Sequence, residues 1–406
     1  MCARLGPHLH DYSLTVTLHP SNREDIARAA GAALRQAEMS QYRALVGFDG
    51  FIDVIIRVVD RRRTMAYEDF ESIRTIGAFA ERVARAAGRS ANIELVTCDR
   101  RFGGNGPLLA GALGKLGLAV SYIGAVGADD APTHLHPIYE PFAERCREVL
   151  PIAPPSVTEA CEFEDGKLMF GHAQNATLVT WERICDLVGL DRLCAIVEAS
   201  SLIGIVNWTM LGGVEGIWQG FIDHVFPVVS PRRRRMFIDL SDPAKRTDAD
   251  LGRGLGLIAA LQQHAEVTLG LNLAESQRIA SVVGVEVPEG VEGSGRHDSV
   301  LRGAEEIRGS LGIDTVVIHR RDGAAAASAG ADAAWFDGPF TRNPQLSTGA
   351  GDHFNAGFAS AQVLGLELSA CLAVACATSG LYVREAASPS AGRVASFLDA
   401  LPAPEH

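Results

Sequence analysis

The sequence predicts an α/β protein in which helices cover both faces of a doubly wound, mostly parallel sheet. From residue 42 onward, short apolar runs alternate with amphipathic segments. This alternation is typical of strand–helix–strand units that build a parallel sheet. A second observation is an Asp-Gly pair between two extended runs, which predicts a hairpin outside that sheet. We therefore expect a layered α/β domain with a small β lid.

The elements of the main domain follow one another over residues 41–402. The candidate strands are short apolar runs: Ala44–Val46, Ile93–Thr97, Val120–Ile123, Leu202–Val206, Met236–Ile238, Val267–Leu269 and Thr315–Ile318. Helical patterns lie between them, at 70–87, 106–117, 137–149, 181–198, 249–264, 274–283 and 300–311. The patterns over 365–379 and 381–401 predict two closing helices that pack through small residues.

Two parts of the chain depart from this alternation. Residues 1–40 predict an accessory helical segment, in which Ser21 and Glu24 have the spacing of a capping box. The extended runs at about 51–60 and 157–173 predict the lid, with Asp165-Gly166 as its hairpin turn. A small sheet beside a large domain can close over a ligand. It can also serve as the surface of a homodimer.

Composition excludes several classes of protein. The 406 residues contain 37 Lys and Arg against 49 Asp and Glu, a net charge of −12, which argues against nucleic acid or an anionic membrane as the main partner. No segment reaches the roughly 18 apolar residues that a membrane helix needs. The 8 cysteines show no Cys-x-x-Cys pair and no regular spacing, which indicates free thiols rather than a disulfide framework. Free thiols are typical of proteins in a reducing compartment. We expect a cytoplasmic protein.

The stretch 347–358 has the composition of a catalytic loop. Gly349, Ala350 and Gly351 precede Asp352, and apolar residues at helical spacing follow. Small residues at a helix start leave backbone N–H groups free to bind an anion, which the helix dipole also favours. A carboxylate at Asp352 suits a base that deprotonates a hydroxyl attacking that anion. The alternative is that these residues form a glycine-rich turn with an acidic helix cap, which would have only a structural role.

Polar and glycine residues also follow the first two predicted strands. Gly103, Gly104 and Asn105 lie between a strand and a helix, where open α/β sheets bind ligands. Asp49 and Asp53 follow the first strand, and ionised carboxylates accept hydrogen bonds from sugar hydroxyls. We expect a polyhydroxyl substrate near these residues. A plain structural loop and turn chemistry remain the alternatives.

Asn272 and Glu275 lie at a helix start just after the strand Val267–Leu269. An amide oxygen and a carboxylate suit Mg²⁺, which keeps most of its waters when bound to proteins. The alternative is a capping box, in which Asn272 caps the helix and Glu275 is its third residue. The local sequence leaves both interpretations open.

Together, and in this order, these stretches resemble the ribokinase-like (PfkB) carbohydrate kinases over roughly residues 43–400. The most specific part is Thr348-Gly-Ala-Gly-Asp352, followed by Phe-Asn-Ala-Gly-Phe at 354–358. The resemblance implies a doubly wound α/β/α domain with a small β lid. It also implies Mg²⁺-dependent transfer of the γ-phosphoryl group of ATP to a hydroxyl of a sugar or nucleoside.

The resemblance implies a role for each motif residue. Asp352 would be the base, beside an anion hole formed by Gly349, Ala350 and Gly351. Glu275 and Asn272 would position Mg²⁺. The expected nucleotide contacts are Asn272, Thr348, Gly349, Gly351 and His319. The expected contacts to the sugar are Asp49, Asp53, Gly103, Gly104, Asn105 and Asp352.

Three positions depart from the family pattern. Leu108 lies where an asparagine usually follows the Gly-Gly motif, and Leu346 lies where an acidic residue helps to bind a monovalent cation in ribokinase. His319, with the two arginines after it, replaces a Thr-x-Gly that contacts the nucleotide. These departures leave a non-catalytic sugar or nucleotide sensor as one alternative. A second is an ADP-dependent sugar kinase, because those kinases share the same fold, the Gly-x-Gly-Asp loop and a site similar to Asn-x-x-Glu.

Overall fold

The structure, a computed structural model, describes residues 22–286 and 295–405. Its strands are β1 (Arg43–Phe48), β2 (Phe51–Arg62), β3 (Phe70–Ser72), β4 (Leu95–Gly103), β5 (Ala119–Gly124), β6 (Glu148–Pro151), β7 (Ser156–Phe163), β8 (Gly166–His172), β9 (Leu202–Val206), β10 (Arg235–Asp239), β11 (Glu266–Asn272), β12 (Thr315–His319), β13 (Gly323–Ser328) and β14 (Ala334–Asp337). Its helices are α1 (Arg23–Gln36), α2 (Ile76–Ala84), α3 (Asn105–Leu116), α4 (Glu140–Ala143), α5 (Trp181–Leu187), α6 (Leu190–Ala199), α7 (Val214–Gly220), α8 (Asp248–Leu261), α9 (Leu273–Val283), α10 (Gly295–Leu311), α11 (Ala350–Val363), α12 (Leu368–Glu385) and α13 (Ala391–Asp399).

The central sheet has the strand order β14-β13-β12-β11-β10-β9-β1-β5-β6 in the described residues. The seven strands that lie between β12 and β6 in this order, both included, pair in parallel. Strands β13 and β14 add an antiparallel edge. Central strands such as β9 are buried along their whole length, as expected where helices cover both faces. The predicted α/β fold class is confirmed.

Each face of the central sheet has its own hydrophobic cluster. Val46 of β1 belongs to one cluster, together with residues of α3, α11 and α12. Leu45, the preceding residue, lies on the opposite face and belongs to the second cluster with residues of α7, α8 and α9. The helices therefore cover the sheet from both sides and leave its strand ends open for a site.

The lid is a second sheet with the order β3-β2-β7-β8, in which β4 also pairs with β2. Strand β2 begins directly after the end of β1, so the chain passes from the central sheet into the lid. The predicted hairpin between β7 and β8 is present, but its turn is Glu164-Asp165, one residue earlier than expected, and Gly166 is the first residue of β8. The lid is larger than expected, because β3 and β4 also belong to it.

The placement of the strand Ile93–Thr97 in the parallel sheet was wrong. This segment begins β4, which runs antiparallel to β2 in the lid. Most of its side chains are exposed, so its short apolar run did not reveal which sheet it joins. The Gly103-Gly104 stretch consequently connects the lid, rather than the central sheet, to α3.

Three helix predictions also need correction. The pattern at 137–149 contains a single 3₁₀ turn and the short helix α4, and then enters β6, whose residues are half-buried at the edge of the sheet. The pattern at 70–87 begins with β3 before α2. The pattern at 181–198 is divided into two helices at Gly189, which has a left-handed φ of 85°. Apolar periodicity did not distinguish these short elements from longer helices.

Helix α1 packs against the carboxyl-terminal helices. Ala27, Ala30 and Leu34 are buried in the same cluster as residues of α12 and α13, and Arg35 forms a bidentate ion pair with Asp399. Ser21 lies outside the described residues, and Asn22 precedes the helix with its side chain accepting from the Glu24 N–H. The division into a segment 1–40 and a domain 41–402 stays a prediction.

The expectations about membrane helices and about cysteines can be compared with the described residues. None of their helices is both long and apolar enough to cross a membrane. The described cysteines are free thiols, and several are buried. Cys2 lies outside the described part of the chain.

Candidate active site

Polar side chains collect where the central strands end. Asp239 ends β10, Asn272 ends β11 and His319 ends β12, and these three strands are neighbours in the sheet. Asp49 follows the end of β1, and Asp352 lies in the first turn of α11. The carboxyl edge of a parallel sheet is the usual place for a ligand site in this fold class.

The glycine-rich loop forms the start of α11, as the sequence predicts. Gly349 is the residue before the helix and has a φ of 88°, a left-handed conformation that favours glycine. A Cβ at this position would approach Tyr382 Oη to 3.0 Å. The Ala350 N–H donates to the Ser347 carbonyl at 3.2 Å. N–H groups in a first helical turn lack carbonyl partners within the helix, which suits them to binding an anion.

Asp352 is almost fully buried beside this loop, at 6% exposure. Its Oδ1 accepts a hydrogen bond from Asn105 Nδ2 at 3.0 Å. Burial, and the nearby charges of Asp239 and Asp49, raise the pKa of Asp352 well above its ordinary value, and the Asn105 hydrogen bond opposes this rise. A buried carboxylate with a raised pKa has the properties of a general base.

A small cavity of about 60 Å³ lies between the lid and the loop. Its lining includes Asp53, Leu108, Lys167, Thr348 and Tyr382. Burial raises the pKa of Asp53, while the positive charges of Lys167 and Arg101 lower it. Both lid strands β2 and β8 therefore contribute charged groups to a pocket that also touches the α11 loop.

Gly103 packs directly against Asp53. A Cβ on Gly103 would lie 2.5 Å from Asp53 Oδ2, so only glycine permits this approach. Gly104 precedes α3 with a φ of 97°, again a left-handed conformation. The structure therefore brings Gly103, Gly104, Asn105, Asp53 and Asp352 into one region, as the sequence analysis expects.

Asp49 is fully buried and its carboxylate is occupied by the protein itself. It accepts from the Asn105 N–H at 3.0 Å, the Gly106 N–H at 2.7 Å and Asn207 Nδ2 at 2.7 Å. Burial raises its pKa to about 6. These contacts hold the start of α3, where the helix dipole favours a negative charge. The geometry favours a structural role for Asp49 over the sugar contact expected from the sequence.

Asn272 and Glu275 form a complete capping box at the start of α9. Asn272 Oδ1 accepts from the Glu275 N–H at 2.9 Å, and Glu275 Oε2 accepts from the Asn272 N–H at 2.8 Å. Glu275 Oε1 accepts from the Asp242 N–H at 2.9 Å. Burial and the charge of Asp239 raise the pKa of Glu275 to about 7. The helix-cap interpretation is therefore confirmed, and the contact with Mg²⁺ stays a prediction.

Asp239 is a member of the site that the sequence analysis missed. It is buried, and accepts from Asn355 Nδ2 at 2.7 Å and from the Ser241 N–H at 2.8 Å. Burial raises its pKa. No motif contains Asp239, but its position just after the apolar run Met236–Ile238 was a usable signal. Acidic residues that directly follow a predicted parallel strand lie at the edge where ligands bind.

Two buried amide oxygens near these acids lack partners. Asn355 Oδ1 and Asn207 Oδ1 have no hydrogen-bond partner in the described part of the chain, although the amide nitrogens of both residues bind carboxylates. Buried polar atoms normally find a partner, a bound water or an ion. Within the described ranges, no three His, Cys, Asp or Glu side chains are grouped to hold a metal directly.

His319 lies at the end of β12, beside the catalytic loop. Its ring is 5.0 Å from that of Phe354, and a Cβ on Gly351 would be 3.6 Å from its Cε1. Burial lowers the pKa of His319 to about 4, so the ring is neutral at physiological pH. His319 is therefore placed next to the loop but supplies no positive charge to it.

Comparisons with known proteins agree with this geometry. A family model described as prokaryotic ketohexokinase matches residues 23–401. A curated ketohexokinase from Haloferax volcanii is 31% identical over 361 residues, which cover 87% of this chain and 90% of the relative. The family-model match includes α1 and the strands of the central sheet.

Solved structures show the same fold at low identity. The ribokinase from Cryptococcus neoformans in complex with ADP has a TM-score of 0.60 and 16% identity, covering 87% of this chain and 99% of the other. The ribokinase from Thermotoga maritima has a TM-score of 0.56 and 16% identity, covering 88% and 99%. The chain belongs to the prokaryotic ketohexokinase family, and is thus a carbohydrate kinase of the ribokinase-like type.

Proposed function

We propose that this protein transfers the γ-phosphoryl group of ATP to a hydroxyl group of a ketohexose, with Mg²⁺ as cofactor. The observation that supports this most directly is the position of Asp352. Its carboxylate lies at the start of α11 and binds Asn105, which follows the glycine pair packed against Asp53. The proposed base therefore lies next to a helix start that can bind an anion. It also lies next to a carboxylate that can accept hydrogen bonds from hydroxyl groups. The ketohexose follows from the family and from the Haloferax relative.

In the proposed reaction, Asp53 accepts hydrogen bonds from sugar hydroxyls and orients the acceptor. Asp352 takes the proton from the attacking hydroxyl as its oxygen forms a bond to the γ-phosphorus. The bond from that phosphorus to the β–γ bridging oxygen breaks, and ADP leaves with the bonding electrons. The N–H groups of Gly349 and Gly351 stabilise the charge on the transferring group, whereas the Ala350 N–H already donates to the Ser347 carbonyl. Thr348 belongs to the loop and His319 lies beside it, and both would contact the nucleotide.

The buried carboxylates suit a divalent cation. Burial and the charge of Asp239 raise the pKa of both Glu275 and Asp352, so Asp239 repels each of these carboxylates when they are ionised. Glu275 and Asn272 would hold Mg²⁺ through water, with Asp239 beside them. When bound, Mg²⁺ neutralises charge on the β- and γ-phosphates. The unpartnered oxygen of Asn355 is an additional acceptor for a water in this region.

The test combines two donors with several acceptors. Purified protein is incubated with ATP or ADP, with Mg²⁺ or EDTA, and with fructose, other ketohexoses, glucose, ribose or adenosine. Product is identified by mass spectrometry. We expect phosphorylated ketohexose from ATP only when Mg²⁺ is present. Transfer from ADP but not ATP would support an ADP-dependent kinase, and sugar binding without any transfer would support a sensor.

We also infer that the lid contributes to a homodimer. Its edge strand β8 exposes Met169 and Phe170, at 50% and 46% of their surfaces. An exposed apolar edge strand favours pairing with another chain. Sedimentation equilibrium should give a dimer for the native protein and a monomer for Phe170→Asp. A native monomer would exclude this surface as a stable dimer interface.

A further inference from the structure

Three consecutive carbonyl groups of the catalytic loop each accept a hydrogen bond from a side chain. The Thr348 carbonyl accepts from Tyr382 Oη at 2.8 Å, and the Ala350 carbonyl accepts from Ser379 Oγ at 2.9 Å. Between them, the Gly349 carbonyl is 2.7 Å from His353 Nδ1. Two of the side chains belong to α12 and one to α11, so both helices hold the loop from its carbonyl side.

The geometry of the peptide bond connects these contacts to the anion hole. In a trans peptide, the C=O and the following N–H lie in one plane and point in opposite directions. The carbonyl of Gly349 holds the central peptide of the loop, whose N–H on Ala350 donates to the Ser347 carbonyl at 3.2 Å. The carbonyls of residues 348 and 350 fix the directions of the N–H groups of Gly349 and Gly351. Those are the N–H groups assigned above to the transferring phosphoryl group. The Gly349 carbonyl also accepts the helical hydrogen bond from the His353 N–H at 3.1 Å, so the side-chain contacts add to the restraint that the first turn of α11 supplies.

His353 is held in one orientation and one tautomer. Because the Gly349 carbonyl can only accept, His353 Nδ1 carries the hydrogen, and Nε2 accepts from Ser388 Oγ at 2.9 Å. Arg145 donates to the same Ser388 hydroxyl at 3.3 Å, which directs the hydroxyl hydrogen toward the ring. The imidazole stacks on Tyr382, with 3.6 Å between ring centroids. Burial lowers the pKa of His353 to about 4, so this neutral form persists at physiological pH.

We propose that His353, Ser379 and Tyr382 are positioning residues that orient the loop N–H groups toward the transferring phosphoryl group. This inference rests on the proposed kinase function. Preorganised N–H groups stabilise a transition state without the cost of reorientation at the moment of reaction. Loss of a supporting contact should therefore lower kcat, while the KM for the sugar, which is set by Asp53 and its pocket, changes much less.

The test compares variants at these positions with a matched control. Ser379→Ala removes one supporting hydroxyl. His353→Phe keeps a ring in the stack without its donor, and His353→Asn keeps an N–H donor near the position of Nδ1. The control is Thr378→Val, because Thr378 is buried on the same helix but its hydroxyl donates to the Val374 carbonyl of α12 at 2.7 Å. Values of kcat and KM, and the free energy of unfolding in urea, are measured for each protein.

We expect Ser379→Ala and His353→Phe to lower kcat by about 10- to 100-fold, the range that is typical when a group orienting a metal ligand is lost. His353→Asn should recover most of that rate, and Thr378→Val should keep the kcat of the native protein. The inference is overturned if Ser379→Ala matches Thr378→Val in kcat, or if His353→Asn is no better than His353→Phe. A native protein that phosphorylates no acceptor would instead overturn the proposed function, and this inference with it.

Discussion

Asn105 donates a hydrogen bond from its side-chain amide to the carboxylate of Asp352, with 3.0 Å between Nδ2 and Oδ1. Asn105 begins α3, just after the lid strand β4, and Asp352 lies in the first turn of α11. The bond therefore joins the segment that leaves the lid to the helix that carries the proposed base. It also favours the ionised carboxylate, against the effect of burial.

Replacing Asn105 should change the pH dependence of catalysis. In Asn105→Ala, the hydrogen bond that lowers the pKa of Asp352 is lost, so the pKa rises further and less of the base is ionised at a given pH. The acidic limb of the kcat/KM profile should move to higher pH. The profile is measured with saturating ATP and low sugar concentrations. An unchanged limb, or a shift to lower pH, would contradict this assignment.

Gly103→Ala should weaken sugar binding more than it weakens the fold. The new Cβ would lie 2.5 Å from Asp53 Oδ2, so the Asp53 side chain must move. Losing a hydrogen bond to a charged group costs about 1.5–3 kcal/mol, so we expect the KM for the sugar to rise roughly tenfold or more. Gly256→Ala is the control, since that exposed position on α8 has open space for a Cβ. Equal KM values in the two variants would show that Asp53 does not contact the sugar.

The capping box at α9 should contribute measurably to stability. Asn272→Ala removes the oxygen that accepts the Glu275 N–H, and loss of such a cap costs about 1 kcal/mol of unfolding free energy. Asn272→Ser keeps a capping oxygen and should retain most of the stability. Both are compared with the native protein by urea unfolding without Mg²⁺. If the two variants lose the same free energy, the cap is not the source of the effect.

Asp352→Asn should stabilise the protein without ligands at alkaline pH. Burial raises the pKa of Asp352 in the folded protein above its unfolded value. The folded state therefore binds the proton more tightly, and ionisation lowers the unfolding free energy as the pH rises through the raised pKa. The asparagine side chain does not ionise, so the variant does not lose unfolding free energy in this way. The variant should be the more stable protein at pH 8, and this advantage should shrink toward the ordinary pKa of aspartate. If the stability advantage of the variant instead grew toward acidic pH, the pKa of Asp352 would be lowered by folding, which would contradict the raised pKa.

Much of the fold was predictable because its signals are local. The apolar runs that became β9 to β12 are short, separated by helical patterns and buried on both faces, so their identity as parallel strands did not depend on tertiary contacts. The loop before Asp352 was recognisable because its glycines and acid are adjacent in sequence. The assignment of β4 failed, because pairing with β2 is decided by contacts between distant segments.

The site shows the same division between local and distant information. Gly103 and Asp53 approach each other across the lid, and Asp239 joins the acids only because β10 lies beside β11. The capping box of Asn272 and Glu275 was predictable from spacing alone, but its second contact, to the Asp242 N–H, was not. Likewise, nothing in the sequence near Asp49 indicated that three protein groups would occupy its carboxylate.

The turnover rate of Asp352→Asn with ATP, Mg²⁺ and saturating ketohexose tests the central claim most directly. Asparagine keeps the size of the side chain and its contact with Asn105 but cannot accept the proton of the attacking hydroxyl. Since general-base assistance contributes about 10²–10⁴-fold, kcat should fall by that factor while circular dichroism and sugar binding remain those of the native protein. A folded Asp352→Asn variant that turns over at the native rate would contradict the account.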